Sequence, residues 1–194
     1  MIPLRRTTGS GPDPDLPDVI AAQRDRAAFG VLYRRYVERV YGYAFHLLGD
    51  HHDAEDVTER TFLAALAAVD GFRDTGASFR SWLFRIAHNQ LANELRARAR
   101  HQADQLDGRI DHGIEPDPAG AVGEADQARR LRRALASLPE DRRQVLVLRF
   151  VDGLSAREIG VVLGRSEGAV RVLQHRALRA LADMLDSDAG RRPV

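Results

Sequence analysis

The chain of 194 residues contains no cysteine, and this absence excludes several kinds of site at once. Without thiols there can be no disulfide, no zinc site with thiolate ligands and no direct thiol redox sensor. Long hydrophobic runs are also missing, since no stretch approaches the roughly eighteen uninterrupted apolar residues of a membrane-spanning helix. The first residues lack the apolar core of a secretion signal, so we predict a cytosolic protein without membrane insertion.

Lysine is absent as well, so the basic side chains other than histidine are all arginines. The net charge at pH 7 is only +1, which does not by itself indicate a nucleic-acid partner. The charges are nevertheless segregated: acidic residues outnumber arginines over 25–72, whereas arginines dominate over 73–100 and 124–185. A GC-rich genome explains arginine in place of lysine but not this segregation, which is typical of one acidic and two basic partner-facing surfaces.

Helical periodicity covers two blocks of the chain and is interrupted between them. The interruption is rich in glycine, proline and acidic residues, a composition typical of an extended linker. We therefore predict an all-α protein whose two helical domains, joined by a flexible linker, can be placed independently. The predicted boundaries are a disordered N-terminal tail over 1–15, a helical bundle over 16–100, the linker over 101–123, a helix-turn-helix domain over 124–185 and a C-terminal tail over 186–194.

Apolar residues at three- and four-residue steps predict three long helices in the first block. The first has Asp25 as a candidate N-cap and ends at Gly49, the second covers about 52–69, and Ser78 caps the third over about 79–100. In the second block we predict four short helices. Pro139 opens the second of these, and Asp152 with Gly153 ends it.

The segment from Leu154 to Ser166 predicts a helix-turn-helix. Ser155 and Glu158 match the Ser-x-x-Glu capping box, and Gly164 can adopt the left-handed turn into a second helix capped by Ser166. The predicted exposed side of that second helix carries Gly168, Arg171, Val172, His175 and Arg179. An arginine and an imidazole on an exposed helix can enter a DNA major groove, with Arg149, Arg165 and Arg176 placed to meet phosphates. The alternative is a helical hairpin with a solvated basic face.

A second basic stripe follows the third helix of the first block. Arg85, Asn89, Asn93, Arg96 and Arg100 recur there at helical spacing, and the loop before it contains Phe72, Arg73 and Gly76. Arginines neutralise phosphates, asparagine amides bind base edges, and aromatic rings stack on unpaired bases. The alternative interpretation places Phe72, Phe79 and Trp82 in the hydrophobic core.

Four passages of the sequence resemble the extracytoplasmic-function (ECF) group of bacterial sigma-70-type RNA polymerase sigma factors. They are Phe29–Tyr36, Asp53–Phe62, Phe79–Asn89 and the run from Leu138 through the helix-turn-helix. The resemblance implies that the first domain (region 2) binds the polymerase clamp and opens the promoter −10 element. It implies that the second domain (region 4) reads the −35 element and contacts the polymerase flap. The implied protein is no enzyme, needs no cofactor, and directs promoter-specific initiation in the bacterial cytoplasm.

The resemblance also implies partners and residues. The partners are core RNA polymerase through its beta and beta-prime subunits, promoter DNA, and an anti-sigma factor that could hold the protein at the membrane. The implied clamp contacts are Asp53, Glu55, Asp56, Glu59 and Phe62. The implied −10 contacts are Phe72, Arg73, Phe79, Arg80, Trp82, Arg85, Ile86, Asn89, Asn93 and Arg96. The implied −35 contacts are Arg149, Arg165, Ser166, Glu167, Gly168, Arg171, Val172, His175 and Arg176. The sequence departs from the family pattern at Arg60 and over 172–174.

Two other functions compete with this one. A helix-turn-helix regulator that works without polymerase would bind DNA tightly as an isolated protein. A metalloenzyme would use the set His46, His51, His52, Asp53, Glu55 and His88. Adjacent histidines on a helix point about 100° apart and no His-Glu-x-x-His spacing occurs, so solvated or capping histidines are favoured.

Overall fold

A computed structural model describes residues 13–74, 76–104, 131 and 133–189, and every regular element within them is a helix. The α-helices are α1 (Leu16–Arg24), α2 (Phe29–Leu48), α3 (His51–Ala68), α4 (Phe79–Asp104), α5 (Glu140–Leu146), α6 (Ala156–Leu163) and α7 (Glu167–Ala189). Short 3₁₀-helices cover Arg26–Ala28 and Val69–Gly71, a π-helix covers Val147–Val151, and residues 133–136 are also helical. The prediction of an all-α fold is confirmed. Across these ranges, no helix is long and apolar enough to cross a bilayer.

The predicted helix ends are confirmed where neighbouring residues encode them. Gly49 ends α2 in the left-handed conformation, with φ 71°. Ser78 caps α4 by accepting a hydrogen bond from the Ser81 N–H at 3.3 Å. Asp25 caps the 3₁₀-helix Arg26–Ala28 by accepting from Ala27 N–H, so α2 itself begins three residues later than a cap at Asp25 would place it.

The described residues depart from three of the predicted limits. Helix α4 runs to Asp104, into the predicted linker, and α7 runs to Ala189, into the predicted C-terminal tail, so α7 is a long helix and not a short one. At the N-terminus, Asp13 and Asp15 are buried, whereas the prediction placed them in a disordered tail. The remainder of the predicted tails and linker, residues 1–12, 105–123 and 190–194, lies outside the described residues.

Two buried aspartates hold the segment before α1 in the fold. The Asp13 carboxylate accepts a hydrogen bond from the backbone N–H of Phe79, the first residue of α4. The Asp15 carboxylate accepts from the Tyr36 hydroxyl and pairs with Arg35 on α2. Burial and the neighbouring Asp15 both raise the pKa of Tyr36, so this hydroxyl remains a donor. These contacts join residues far apart in sequence, which is why local patterning did not predict them.

The first half is a bundle in which α2, α3 and α4 pack around an aromatic-rich core. Tyr43 and Phe84 meet edge to face with ring centroids 5.7 Å apart, and Phe29 meets Phe62 at 6.5 Å. Such pairs add about 0.5–1.5 kcal/mol each to the free energy gained from burying their surface. The Tyr43 hydroxyl is satisfied inside this core by the His88 ring nitrogen at 3.2 Å.

The hydrophobic core continues without interruption into the second half of the structure, residues 133–189. Six residues of α5, the π-helix, α6 and the turn between them are buried in the same cluster as the first bundle: Val145, Val147, Leu148, Leu154, Ile159 and Val162. The apolar face of α6 packs on α4, and the π-helix packs on α2. The linker composition predicted two domains that are placed independently. In this structure the two halves instead share one hydrophobic core. A smaller second cluster, centred on Leu138, Leu146 and Ala177, joins the residues around 138 to α5 and α7.

Candidate nucleic-acid and partner interfaces

The turn between α6 and α7 is built from the predicted helix-turn-helix signals. Ser155 accepts a hydrogen bond from Glu158 N–H at 3.2 Å, and the Glu158 carboxylate accepts from Ser155 N–H at 2.9 Å, so the capping box is confirmed. Gly164 has φ 64°, the left-handed conformation predicted for the turn. Ser166 then caps α7 by accepting from Ala169 N–H at 3.2 Å.

Gly160 is a feature of this turn that the sequence analysis missed. A Cβ atom at this position would lie 2.6 Å from the carbonyl oxygen of Arg165, inside van der Waals contact with backbone. The Arg165 N–H donates a hydrogen bond to the Gly160 carbonyl at 2.9 Å, and this bond holds the two backbone segments together. A glycine inside the otherwise apolar helix α6 was the available signal for this close backbone approach.

The predicted −35 surface is exposed on the first three turns of α7 and the turn before it. Arg171 is held over the helix start by Glu167, with 2.6 Å between its Nη2 and the carboxylate oxygen, and 70% of its side chain remains exposed. The exposed predicted contacts are Arg165, Ser166, Glu167, Gly168, Arg171, Val172, His175 and Arg176. Arg149 is the exception, because it is half-buried and its Nη1 donates to the Leu154 carbonyl at 2.9 Å, which braces the turn before α6.

Most of the predicted −10 residues form two groups. Four polar residues of α4 are exposed on one side of the helix: Arg85, Asn89, Asn93 and Arg96. The aromatic residues are instead part of the core, since Phe72 and Phe79 are buried with ring centroids 5.8 Å apart and Trp82 is half-buried beside them. The core interpretation of these aromatics, which the sequence left open, describes this structure. Ile86 is half-buried next to them.

The loop before α4 is held by its own arginine. Arg73 is exposed, and its Nη1 donates to the carbonyls of Asp70 and Phe72, each at 2.8 Å. Gln23 of α1 donates to the Phe72 carbonyl from the other side at 3.1 Å. These bonds fix the backbone of the loop at the edge of the buried aromatic cluster, while the Phe72 ring itself is buried in the core.

Arg80 is the one predicted −10 residue whose charge is engaged by the second half. Its Nη2 lies 2.6 Å from the Glu158 carboxylate, and both side chains are only 17% exposed. Burial alone would raise the pKa of Glu158, but the hydrogen bonds from Arg80 and Ser155 outweigh it, so the pKa lies below its usual range. Glu158 is therefore a carboxylate at neutral pH and serves both the capping box and the Arg80 pair.

Three of the five predicted clamp contacts, Glu55, Glu59 and Phe62, line an apolar groove between α2 and α3. The groove has a volume of about 780 Å³, and Phe62, Tyr33 and Leu63 form much of its floor and wall. Phe62 is buried against the Tyr33 ring, with centroids 4.9 Å apart, while Leu63 is 58% exposed. An exposed apolar groove of this kind in a charged surface is typical of a protein-binding site.

Acidic residues surround this groove and continue along α3. Glu55, Asp56 and Glu59 are exposed, whereas Asp53 is half-buried and paired with Arg98 of α4. Arg60, where the sequence departs from the family pattern, pairs with Glu94 of α4 at 2.7 Å. Its charge is thus directed to α4, and the exposed acidic surface of α3 consists of Glu55, Asp56 and Glu59.

The histidines of the alternative metal site do not converge in the part of the chain that the structure describes. His51 shares a hydrogen bond with the Tyr41 hydroxyl at 2.5 Å and stacks on Phe45, while His88 is inside the bundle with Tyr43. Burial lowers the pKa of His88. Within the described ranges, no group of three or more His, Cys, Asp or Glu side chains is arranged to hold a metal ion.

Asp152, predicted only as a helix stop, is the most unusual carboxylate among the described residues. Its side chain is 1% exposed, and neither carboxylate oxygen has a hydrogen-bond partner among those residues. Burial raises the pKa of Asp152 to about 8, and the nearby positive charges of Arg39 and Arg80 offset only part of that effect. It lies where the second half meets α2, because its backbone carbonyl accepts a hydrogen bond from Arg39.

Comparison with known proteins matches both halves of the chain. Residues 32–101 match the family described as Sigma-70 region 2, and residues 128–181 match Sigma-70, region 4. The ECF RNA polymerase sigma factor ShbA of Streptomyces griseus is 40% identical over 147 residues, which cover 71% of this chain and 76% of ShbA. The ECF RNA polymerase sigma factor BldN of Streptomyces coelicolor is 36% identical over 84% of this chain, which spans only 62% of the length of BldN.

One solved structure resembles most of the chain. The sigma factor RpoE of Bartonella quintana, in its complex with the anti-sigma factor NepR, superposes with a TM-score of 0.69. The match covers 82% of this chain and 98% of that chain, with 26% sequence identity.

Proposed function

The chain belongs to the ECF group of the sigma-70 family of RNA polymerase sigma factors, and from that premise we propose that it directs promoter-specific transcription initiation. In this proposal it binds core polymerase through the groove between α2 and α3 and reads promoter DNA with α4 and α7. It needs no catalytic step of its own. Its site of action is the bacterial cytoplasm, where core polymerase and promoter DNA are found.

One observation supports this function above the others: a single chain exposes a helix-turn-helix and a second, polar helix surface, together with an acidic apolar groove. Arg171 and His175 lie on the exposed start of α7, which suits duplex DNA in a major groove. Arg85, Asn89 and Asn93 lie on α4, where the arginine suits a phosphate and the two amides suit the base edges of a melted strand. Glu55 and Glu59 beside the groove suit a basic protein partner.

The test is reconstituted transcription. Core polymerase is assayed with and without this protein on a library of genomic promoter fragments, and the transcripts are sequenced. We expect initiation at a limited set of fragments that share two short elements at fixed spacing. The alternative, a regulator that works without polymerase, predicts no dependence of these starts on the protein and nanomolar DNA binding by the isolated chain.

Two substitutions test the assignment of residues to the two elements. Asn89→Ala should impair promoter opening while leaving polymerase binding intact, because it removes one amide from the predicted −10 surface. Arg171→Ala should weaken upstream recognition by about 1–3 kcal/mol. Arg24→Ala, an exposed arginine outside both predicted DNA surfaces, is the control. If all three variants transcribe like the wild type, the residue assignments are wrong even though the family is right.

We also propose control by an anti-sigma protein that covers the polymerase-binding groove. The exposed apolar residues Tyr33 and Leu63 would be buried in such a complex, and the Bartonella relative is a sigma factor solved with its anti-sigma factor. Purification of the native protein from cells under several growth conditions should recover a second partner. Recovery of polymerase alone under every condition would contradict this part of the proposal.

A further inference from the structure

The α3–α4 loop is held at both ends by α1 and the residues just before that helix. The described residues of this loop are 72–74 and 76–78. Where the loop begins, the Gln23 side-chain amide donates from Nε2 to the carbonyl of Val69 at 2.9 Å and to that of Phe72 at 3.1 Å. Where it ends, the Asp13 carboxylate accepts a hydrogen bond from the backbone N–H of Phe79. One short segment therefore fixes both ends of the loop.

The side chains of Gln23 and Asp13 fit the backbone groups at the two loop ends. A glutamine NH₂ group has two donors, and the two carbonyls at the start of the loop accept from it. The two oxygens of Asp13 are divided in a similar way, because Oδ1 accepts from the Asp15 N–H at 3.1 Å and Oδ2 from the Phe79 N–H. The helix dipole also favours a negative charge at the first N–H of α4. Together the two side chains form a brace across the loop.

The loop is buried at its ends and exposed between them. The rings of Phe72 and Phe79 are in the core, with centroids 5.8 Å apart, and both pack against Trp82. Between these rings, Arg73 and Asp74 are exposed, and α4 continues from the loop into the exposed polar side of that helix. A shift at either end of the loop would therefore move its exposed residues relative to the polar side of α4.

We propose that Gln23 and Asp13 are positioning residues for promoter opening, which hold the α3–α4 loop in its DNA-binding conformation before DNA arrives. The inference deepens the proposed function and rests on it, because the position of the loop matters only if the loop and α4 bind the melted −10 strand. Both side chains act through the loop and do not themselves contact DNA. A loop that is already ordered loses less conformational entropy on binding, so the single strand is captured more tightly.

Gln23→Met removes the bridging amide and keeps an uncharged side chain of similar length at this half-buried position of α1. The two carbonyls keep their other donors, the Phe72 N–H and Arg73, so the loop should loosen without unfolding. Ala21→Met places the same side chain at an exposed position of α1 and is the matched control. Asp13→Asn is a second variant at the other end of the loop, because only one of its two terminal side-chain atoms can accept a hydrogen bond.

The first measurement is hydrogen exchange in the full chain, monitored by mass spectrometry of peptides from the loop and from α2. It needs no promoter, and the bond from Arg157 to the Gly76 carbonyl is present in every variant. We expect the loop to exchange about threefold to tenfold faster in Gln23→Met and Asp13→Asn than in Ala21→Met, the effect of losing about one hydrogen bond, with α2 unchanged. Exchange at the wild-type rate in both variants would overturn the brace.

The second measurement is DNA binding by each protein in complex with core polymerase. The probes are two fragments of one promoter found by the reconstituted transcription assay: a duplex that carries the upstream element, and a fork whose −10 element is single-stranded. We expect Gln23→Met to bind the fork about threefold to tenfold more weakly than Ala21→Met does, and to bind the duplex equally well. This difference between the two probes is the signature of positioning.

The outcomes that contradict the inference are distinct from failure of the proposed function. A purely structural role of Gln23 would lower polymerase binding and weaken both probes alike, and that result would overturn the inference. Equal fork affinity of Gln23→Met and Ala21→Met, with the wild type active in transcription, would overturn the inference alone. Transcription starts that do not depend on the wild-type protein would instead remove the proposed function, and this inference with it.

Discussion

Replacing Asp152 by asparagine should make the protein more stable, and the gain should grow with pH. The wild-type carboxyl group is buried without a hydrogen-bond partner among the described residues, and its pKa is raised from 3.8 to about 8. Between these two values the folded state keeps a proton that the unfolded state has already lost, so raising the pH favours unfolding. Asparagine has nearly the same shape, does not ionise, and escapes this penalty.

The size of the effect follows from the two pKa values. In the window between 3.8 and about 8 the wild type should lose up to about 1.4 kcal/mol of unfolding free energy per pH unit relative to Asp152→Asn, and the difference should level off above about 8. Below the unfolded pKa both proteins carry a neutral side chain, and their stabilities should converge. The positive charges of Arg39 and Arg80 already act on Asp152 and are included in its raised pKa.

The assay is urea unfolding, monitored by circular dichroism and repeated at each pH unit from pH 5 to pH 9. Other ionisable groups titrate equally in both proteins, so the difference between the two curves isolates position 152. Asp186→Asn, an exposed aspartate of α7, is the control and should change stability by less than about 0.5 kcal/mol at every pH. A difference between wild type and Asp152→Asn that stays flat or shrinks as the pH rises would refute the reasoning.

Two glycine substitutions should have opposite effects on thermal stability. Gly160→Ala should destabilise the helix-turn-helix by about 1–3 kcal/mol, because the new methyl group would lie 2.6 Å from the Arg165 carbonyl oxygen. Gly42→Ala should stabilise α2 by about 0.5–1 kcal/mol, because nothing lies within 4 Å of the added Cβ and alanine is the better helix former. Scanning calorimetry checks both, and a Gly160→Ala melting temperature at or above that of the wild type would show that the turn relaxes around the methyl group.

The features that sequence predicted well are those whose determinants are neighbours in the chain. The capping box of Ser155 and Glu158 and the left-handed turn at Gly164 each depend on a few consecutive residues, so local propensity alone identifies them. The family resemblance worked for a related reason: its motifs are contiguous runs of sequence. The domain limits and site residues that it implied stay predictions.

The features that sequence did not predict depend on contacts between distant segments. The Glu158–Arg80 pair joins positions 78 residues apart, and nothing in either local pattern marks the other as its partner. From the sequence, Phe72 and Phe79 could be assigned to base stacking or to the core, because an aromatic residue near a basic helix suits both. Only the packing of α1, α2 and α4 around them decides between the two in this structure.

The two aspartates ahead of α1 have a practical consequence for work on this protein. A version trimmed to begin at Leu16, the first residue with helical patterning, would lack the carboxylate that accepts from the Phe79 N–H and the one that binds Tyr36 and Arg35. The backbone N–H of Phe79, at the start of the helix that bears the predicted promoter contacts, would then lose its hydrogen-bond acceptor. Affinity tags and fusion partners are accordingly best joined upstream of Asp13, so that residues 13–15 keep their contacts with the bundle.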